Sequence, residues 1–222
     1  MPTSRDPEAR RTRAREEFVD AAYRVIDAHG PNPSMNDIAR EAGATKPRLY
    51  RQFADKADLY SAVAQRMADE VYSLAVSDFN FLLDAPVSAL RHAITGYADV
   101  VARHPNVFRF LAQSRSTSED STVAPPLDIG RDIATRFSSV AASILKSVDA
   151  DTAGIDYACR AAVGAVLAAT DLWLDDPTLE AADFVDQISA LVWGLLDAFL
   201  RRKEIDLDGN DPIFMTLARL KG

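Results

Sequence analysis

The chain has 222 residues, 48% of them hydrophobic and 26% charged, enough to bury a sizeable core as one large domain or as a small one joined to a larger one. A single cysteine, Cys159, excludes an internal disulfide and fits a reducing compartment. The net charge of −8 argues against a nucleic-acid partner only until it is divided: residues 1–66 carry 12 Lys plus Arg against 10 Asp plus Glu, and the remainder 13 against 23.

Near the start stand five arginines, Arg5, Arg10, Arg11, Arg13 and Arg15, with no apolar block after them, so a secretory signal is not supported. They read either as a solvated extension or as a basic arm that reaches DNA phosphates or the minor groove. Phe18, Ala21, Ala22, Val25 and Ile26 then recur at helical spacing, and Gly30 with Pro31 ends that helix.

Residues 34–53, SMNDIAREAGATKPRLYRQF, read as two short helices joined by a tight glycine turn. Ser34 can cap the first, with Asp37 three positions on as its capping-box partner. Ile38 and Ala42 share an apolar face, and Gly43 stands where the chain leaves the helix through a left-handed conformation open to glycine. The second helix starts near Thr45 or Lys46, where Pro47 is tolerated because first-turn amides have no intrahelical partner. Leu49 and Phe53 turn inward. Lys46, Arg48, Tyr50 and Arg51 are left outward, a set able to reach phosphates and the guanine edge, as in a DNA-reading helix-turn-helix.

Asp55 can cap a long helix in which Leu59, Val63, Met67, Val71 and Leu74 keep one face, and which connects the N-terminal unit to the rest. Pro86 opens a helix to about Arg103, His104-Pro105 breaks it, and a shorter helix covers Asn106 to Ser114. Residues 115–126, RSTSEDSTVAPP, lack periodicity and are expected to form a mobile loop. Helical pattern resumes from Leu127 to Val148, from Thr152 to Leu174, from Leu179 to Lys203 and briefly from Pro212 to Leu220. With no alternating strand pattern and no repeat, the expected class is all-α. The longest apolar stretch, Ala161 to Thr170, is far short of the ~18 residues a membrane span needs, so a cytoplasmic protein with no membrane partner is expected.

The last two long helices differ in texture from the others. One carries Ala158, Ala161, Ala162, Ala165, Ala168 and Ala169, small residues that let another helix approach closely; the other carries Phe184, Ile188, Leu191, Val192, Leu195 and Phe199, with Trp193 and Gly194 beside them. Two such helices from each of two chains could form a four-helix bundle, and an ordinary intrachain core fits the same pattern.

The sequence DIAREAG at Asp37–Gly43, followed by Leu49, Tyr50, Phe53, Lys56 and Leu59 in the spacing LYxxFxxKxxL, resembles the TetR family of transcriptional regulators over roughly residues 12–60. The resemblance implies a helix-turn-helix DNA-binding domain at 1–60 and a helical effector-binding and dimerisation domain at 61–222. It also implies a homodimer, a near-palindromic double-stranded DNA operator and a small-molecule effector. By resemblance Tyr50 and Lys56 grip phosphates, Ser34, Thr45, Lys46, Arg48 and Arg51 complete the DNA-binding set, and Ala158, Ala165, Ile188, Val192 and Leu195 form the dimer interface. Three positions depart from the common pattern: Pro47 stands where glycine or alanine is frequent, Arg48 where a small hydroxyl residue is, and Gln52 where an aromatic residue is.

For an enzyme the inventory of reactive groups is thin. His29, His92 and His104 are isolated, and there is no HExxH, CxxC, GxSxG or glycine-rich phosphate loop, so no catalysis, metal or cofactor is expected. His92 and Asp99, seven apart, read as a surface contact. The middle helices hold Tyr97, Val101, Phe108, Leu111, Phe137, Thr170 and Trp173, core-type residues by pattern and an effector pocket by resemblance, with Tyr97, Thr170 and Asp171 as polar anchors. The expected protein is a dimeric repressor released from DNA by a lipophilic effector. The alternative is a small-molecule-binding helical protein without specific operator binding.

Overall fold

Apolar residues recur at helical spacing along most of the chain, and the described residues form α-helices with no strand among them. The structure, a computed structural model, describes residues 7–77, 80, 83–116, 129–147, 149–176, 178–215 and 218. Its helices are α1 (Pro7–His29), α2 (Met35–Glu41), α3 (Lys46–Tyr50), α4 (Lys56–Val76), α5 (Pro86–Arg103), α6 (Pro105–Ser116), α7 (Ile129–Lys146), α8 (Ile155–Asp175) and α9 (Ala181–Arg201). They group into two compact units, one drawn from Met1–Met67 and Val101–Asp128, the other from Ala68–Val100 and Ile129–Gly222, so that α4 and α5 each contribute residues to both.

In the first unit α1 buries Phe18, Ala22 and Ile26 together with Ile38 of α2 and Leu49 of α3. Phe18 meets Phe53 edge to face, ring centroids 6.3 Å apart, a favoured geometry for aromatic quadrupoles. Ser34 caps α2: its hydroxyl accepts the Asp37 N–H at 3.1 Å and donates to the Asp37 carboxylate at 2.5 Å. The box therefore closes on the hydroxyl, because aspartate is shorter than the usual glutamate. That hydrogen bond, ahead of nearby Arg40, holds the Asp37 carboxyl below its ordinary range. At the other end Gly43 takes φ 60, its N–H donates to the Arg40 carbonyl, and the Ala44 N–H donates to the Ala39 carbonyl. These are the two bonds of a Schellman turn. α6 is tied into this unit by the Tyr60 hydroxyl, which donates to the Leu111 carbonyl at 2.8 Å, and by Asn106, which donates to the Asp27 carbonyl at 3.1 Å.

The second unit is built on α7, α8 and α9, packed in sequence order. α5 lies so close to the end of α4 that a Cβ at Gly96 would sit 2.9 Å from Leu74 Cβ. Leu145, Ile155, Cys159 and Ile205 form a buried cluster, and Val87 donates its N–H to the Gly209 carbonyl at 3.0 Å, which fixes the segment after α9 against α5.

Two expectations are corrected here. α6 continues through Arg115 and Ser116, where composition predicted a loop, because the helical ladder begun at Pro105 persists to them; residues 117–126 lie outside the described residues. α8 starts at Ile155, not Thr152, because Gly154 at φ 86 must first turn the chain. Of the expected helix at 212–220, residues 212–215 and 218 are described; Pro212 is outside the helix, and 213–215 and 218 are helical.

Candidate nucleic-acid interface and ligand cavity

α3 presents its reading face as a consequence of one buried residue. Leu49 is fully buried, and the neighbouring Lys46, Arg48, Tyr50 and Arg51 are exposed, as are Thr45 and Lys56. Thr45 is the N-cap of α3 yet makes no side-chain capping bond. Lys46 Nζ stands 5.8 Å from the Tyr50 ring, and an Arg48 nitrogen lies 3.9 Å from the Glu17 carboxylate of α1. Ser34 is exposed but its hydroxyl is engaged on Asp37 in both directions. The rest of the expected DNA-binding set thus lies exposed on α3, just after it and at the start of α4, and includes the four cationic side chains of Lys46, Arg48, Arg51 and Lys56.

The arginines before α3 divide into two roles. α1 already begins at Pro7, so Arg10, Arg11 and Arg13 are exposed on a helix; Arg5 lies outside the described residues. Arg15 turns inward. Its guanidinium is 4.1 Å from the centre of the Phe53 ring, donates to the Gln52 carbonyl at 2.6 Å and reaches Asp58 at 2.5 Å. Asp58 also accepts the Ala54 N–H at 3.0 Å. Sequence pattern missed this role because the partners are 37 and 43 positions away.

A cavity of about 320 Å³ lies in the second unit. Ile94 and Tyr97 of α5, Phe137 of α7, Val163 of α8 and Trp193 and Phe199 of α9 are among its walls, and no charged side chain is among the described residues that line it. The expected effector set is split by the fold. Tyr97 and Phe137 line the cavity. Thr170 is fully buried behind it, its hydroxyl 2.6 Å from that of Tyr97, and burial pushes the Tyr97 phenol up from its ordinary pKa. Trp173 stacks on Phe184 at 4.5 Å. Val101 at the end of α5 and Phe108 and Leu111 of α6 are buried in the first unit, where α6 packs on α1. Cavity residues that pattern alone missed, Trp193 and Phe199 above all, come from α9.

The expected dimer residues are likewise divided. Ala158, Ile188 and Val192 are buried within this chain, so their side chains are not available to a partner; Leu195 is half-buried and Ala165 exposed. The face of α8 and α9 that does lie open carries Tyr157, Leu172 and Leu191, exposed by 83%, 75% and 68%, with Gly164, Ala165, Gly194 and Ala198 between them. α8 is also long and apolar enough, by length and composition alone, to cross a membrane. Among the described residues no cluster of His, Cys, Asp or Glu could hold a metal ion.

An exposed cationic helix on a Schellman-turned helix pair, in a chain that also holds a second all-helical unit, defines a helix-turn-helix DNA-binding protein. Residues 18–63 match the family profile described as bacterial regulatory proteins, tetR family, and residues 86–195 the tetracyclin repressor-like C-terminal domain. The chain is 31% identical over 185 residues to an uncharacterized HTH-type transcriptional regulator of Mycobacterium tuberculosis, 82% of this chain and 76% of that protein. Over 111 residues it is 30% identical to the HTH-type transcriptional activator FasR of Mycolicibacterium smegmatis, 50% of this chain and 47% of that protein. Among solved structures, a tetR-family transcriptional regulator from Streptomyces coelicolor superposes with a TM-score of 0.67 at 20% identity, covering 94% of this chain and 88% of that one. BioQ, solved with its double-stranded DNA operator, gives 0.57 at 21% identity, covering 82% and 96%. The chain belongs to the TetR family of transcriptional regulators, and it is not an enzyme.

Proposed function

We propose that the protein is a cytoplasmic homodimeric repressor that leaves a near-palindromic operator when a small lipophilic effector fills the second-unit cavity. The observation that carries this reading is the apolar cavity of about 320 Å³ in a chain that also exposes a cationic reading helix. In this reading residues 1–60 hold the DNA-binding function and 61–222 the effector and dimer functions. Arg48 reads a guanine edge, Tyr50 and Lys56 hold phosphates, and Thr45, Lys46 and Arg51 complete the contact set. The dimer forms through the open face of α8 and α9. Small residues there admit a close helix approach, and exposed Tyr157, Leu172 and Leu191 would leave water on association.

The switch is a population shift: the effector favours the arrangement that binds it better, and DNA is released to the extent of that difference. α4 is suited to carry it. Its first turns bear Lys56 and Leu59 of the first unit, and its last turns bear Val71 and Ala75 on the cavity wall. The protein named FasR is an activator, so the sign is settled by a reporter and not by the scaffold.

The test is recovery of genomic fragments on the full-length protein, followed by titration of the enriched fragment with lipophilic compounds. The expected result is a near-palindrome with half-sites ~34–36 Å apart or a multiple of that, released by compounds that also perturb Trp193 fluorescence. Absence of any enriched sequence would leave a ligand-binding protein without an operator, and a reporter that rises with the protein present would overturn repression.

A further inference from the structure

We infer that the cavity selects an uncharged lipophile of about ten to twelve heavy atoms and excludes the carboxylate of the same chain length. This deepens the effector reading and rests on it. The cavity's size, about 320 Å³, is roughly twice the ~150 Å³ that accommodates benzene in an apolar core, which sets the scale of the occupant.

The exclusion follows from counting charges and polar hydrogens. Every described lining residue is aliphatic or aromatic apart from Cys159, and none is cationic. Tyr97 is the lining residue with a hydroxyl, and that hydroxyl lies 2.6 Å from the Thr170 hydroxyl. Thr170 in turn donates to the Val166 carbonyl at 2.8 Å. A hydroxyl has one hydrogen, and two oxygens 2.8 Å apart need a hydrogen between them. Thr170 therefore gives its hydrogen to Val166, and Tyr97 gives its own to Thr170. Both hydrogens are committed, and the pair can offer a ligand only oxygen lone pairs.

The other polar hydrogens of the lining belong to the Trp193 indole and the Cys159 thiol, the second a weak donor, and neither carries charge. A carboxylate that entered would lose its water without gaining a cation, which is the costly case for a buried ion. An alcohol or ester loses far less. The acidic balance outside the reading head, 13 Lys plus Arg against 23 Asp plus Glu beyond residue 66, opposes anions further.

The experiment uses the full-length protein at pH 8, with binding read by Trp193 fluorescence in a Trp173→Phe background and confirmed by calorimetry on the parent. The probes are 1-decanol, methyl nonanoate and sodium decanoate, of eleven, twelve and twelve heavy atoms, on the order of the size the cavity sets. The expected order places both neutral compounds at least tenfold tighter than decanoate. Placing a cation on the wall, Val163→Lys, should bring decanoate to within a few-fold of decanol, and Leu167→Arg is the second variant should the first not fold. Decanoate binding as tightly as decanol to the parent would overturn the neutral-ligand assignment while leaving the effector cavity in place. Failure of all three probes to bind would overturn the cavity as an effector site, and the assignment with it. Neutral compounds that bind without changing operator affinity would support the assignment and overturn the effector reading alone.

Discussion

The Arg15 guanidinium meets the Asp58 carboxylate at 2.5 Å while lying flat enough over Phe53 to sit 4.1 Å from its ring centre. One side chain of α1 thus ties the segment after α3 to the start of α4, and it also donates to the Gln52 carbonyl. Arg15→Ala should weaken binding to all DNA sequences and lower stability by about 1 kcal/mol, because the pair is partly exposed and screened. Its diagnostic is salt: the slope of log K against log salt should stay that of the parent, whereas a lost phosphate contact would reduce it by about one.

The same pair gives a pH signature. The hydrogen bond from Arg15, ahead of the bond from Ala54, holds Asp58 below its ordinary pKa. A depressed carboxyl stabilises the fold above its unfolded pKa, and that stabilisation is lost as pH falls through the folded value. The stability gap between parent and Asp58→Asn should stay constant from neutral pH down to about 4, then close on further acidification. Urea titrations across that window measure it, and a gap that widened in acid would contradict the pairing.

At the start of α4, Lys56→Ala should cost affinity for all sequences alike and lower the salt slope by about one. Arg48→Ala should instead cost ~1–3 kcal/mol on the operator and relax preference at one base pair. Glu17 lies 3.9 Å from Arg48, so Glu17→Gln should strengthen binding modestly, by less than ~1 kcal/mol for an exposed pair. Gel-shift titrations on matched and mutated operators separate the three.

For the two faces of α8, opposite outcomes are expected from the same substitution. Ala165 is exposed and Ala158 is 5% exposed within the chain. Ala165→Glu should give a folded monomer with intact helical content, since a charge buried without a partner destabilises association. Ala158→Glu should unfold the second unit. Sedimentation and circular dichroism read both, and a dimer unchanged by Ala165→Glu would remove this face as the interface.

Cys159 reports on the cavity it lines. Burial, with Asp156 adding a little, pushes its thiol up to about 11. Since the folded pKa lies above the unfolded one, this contribution to stability is complete below ~8.5 and declines as pH rises past it. At pH 7.5 alkylation of the folded protein should be on the order of 100-fold slower than of the unfolded chain, because far less thiolate is present. A bound lipophile should slow it again.

The parts of this protein legible in the sequence are those made by neighbours along the chain. Ser34 three positions before Asp37, Gly43 after Ala42 and Pro47 in a first turn each act through bonds within four or five residues, so the helix-turn-helix and the bounds of α5 could be read directly. What only the tertiary structure decided is which buried stripe meets which. Periodicity shows that Phe108, Phe137 and Trp193 lie on apolar faces, but a face has no address: α6 took Phe108 to the core with α1, while α9 turned Trp193 to the cavity and Leu191 to solvent. Arg15 gives the same lesson for charge. Its run of neighbours reads as a basic arm, and only the approach of a ring and a carboxylate some forty positions away made it a brace for the reading helix.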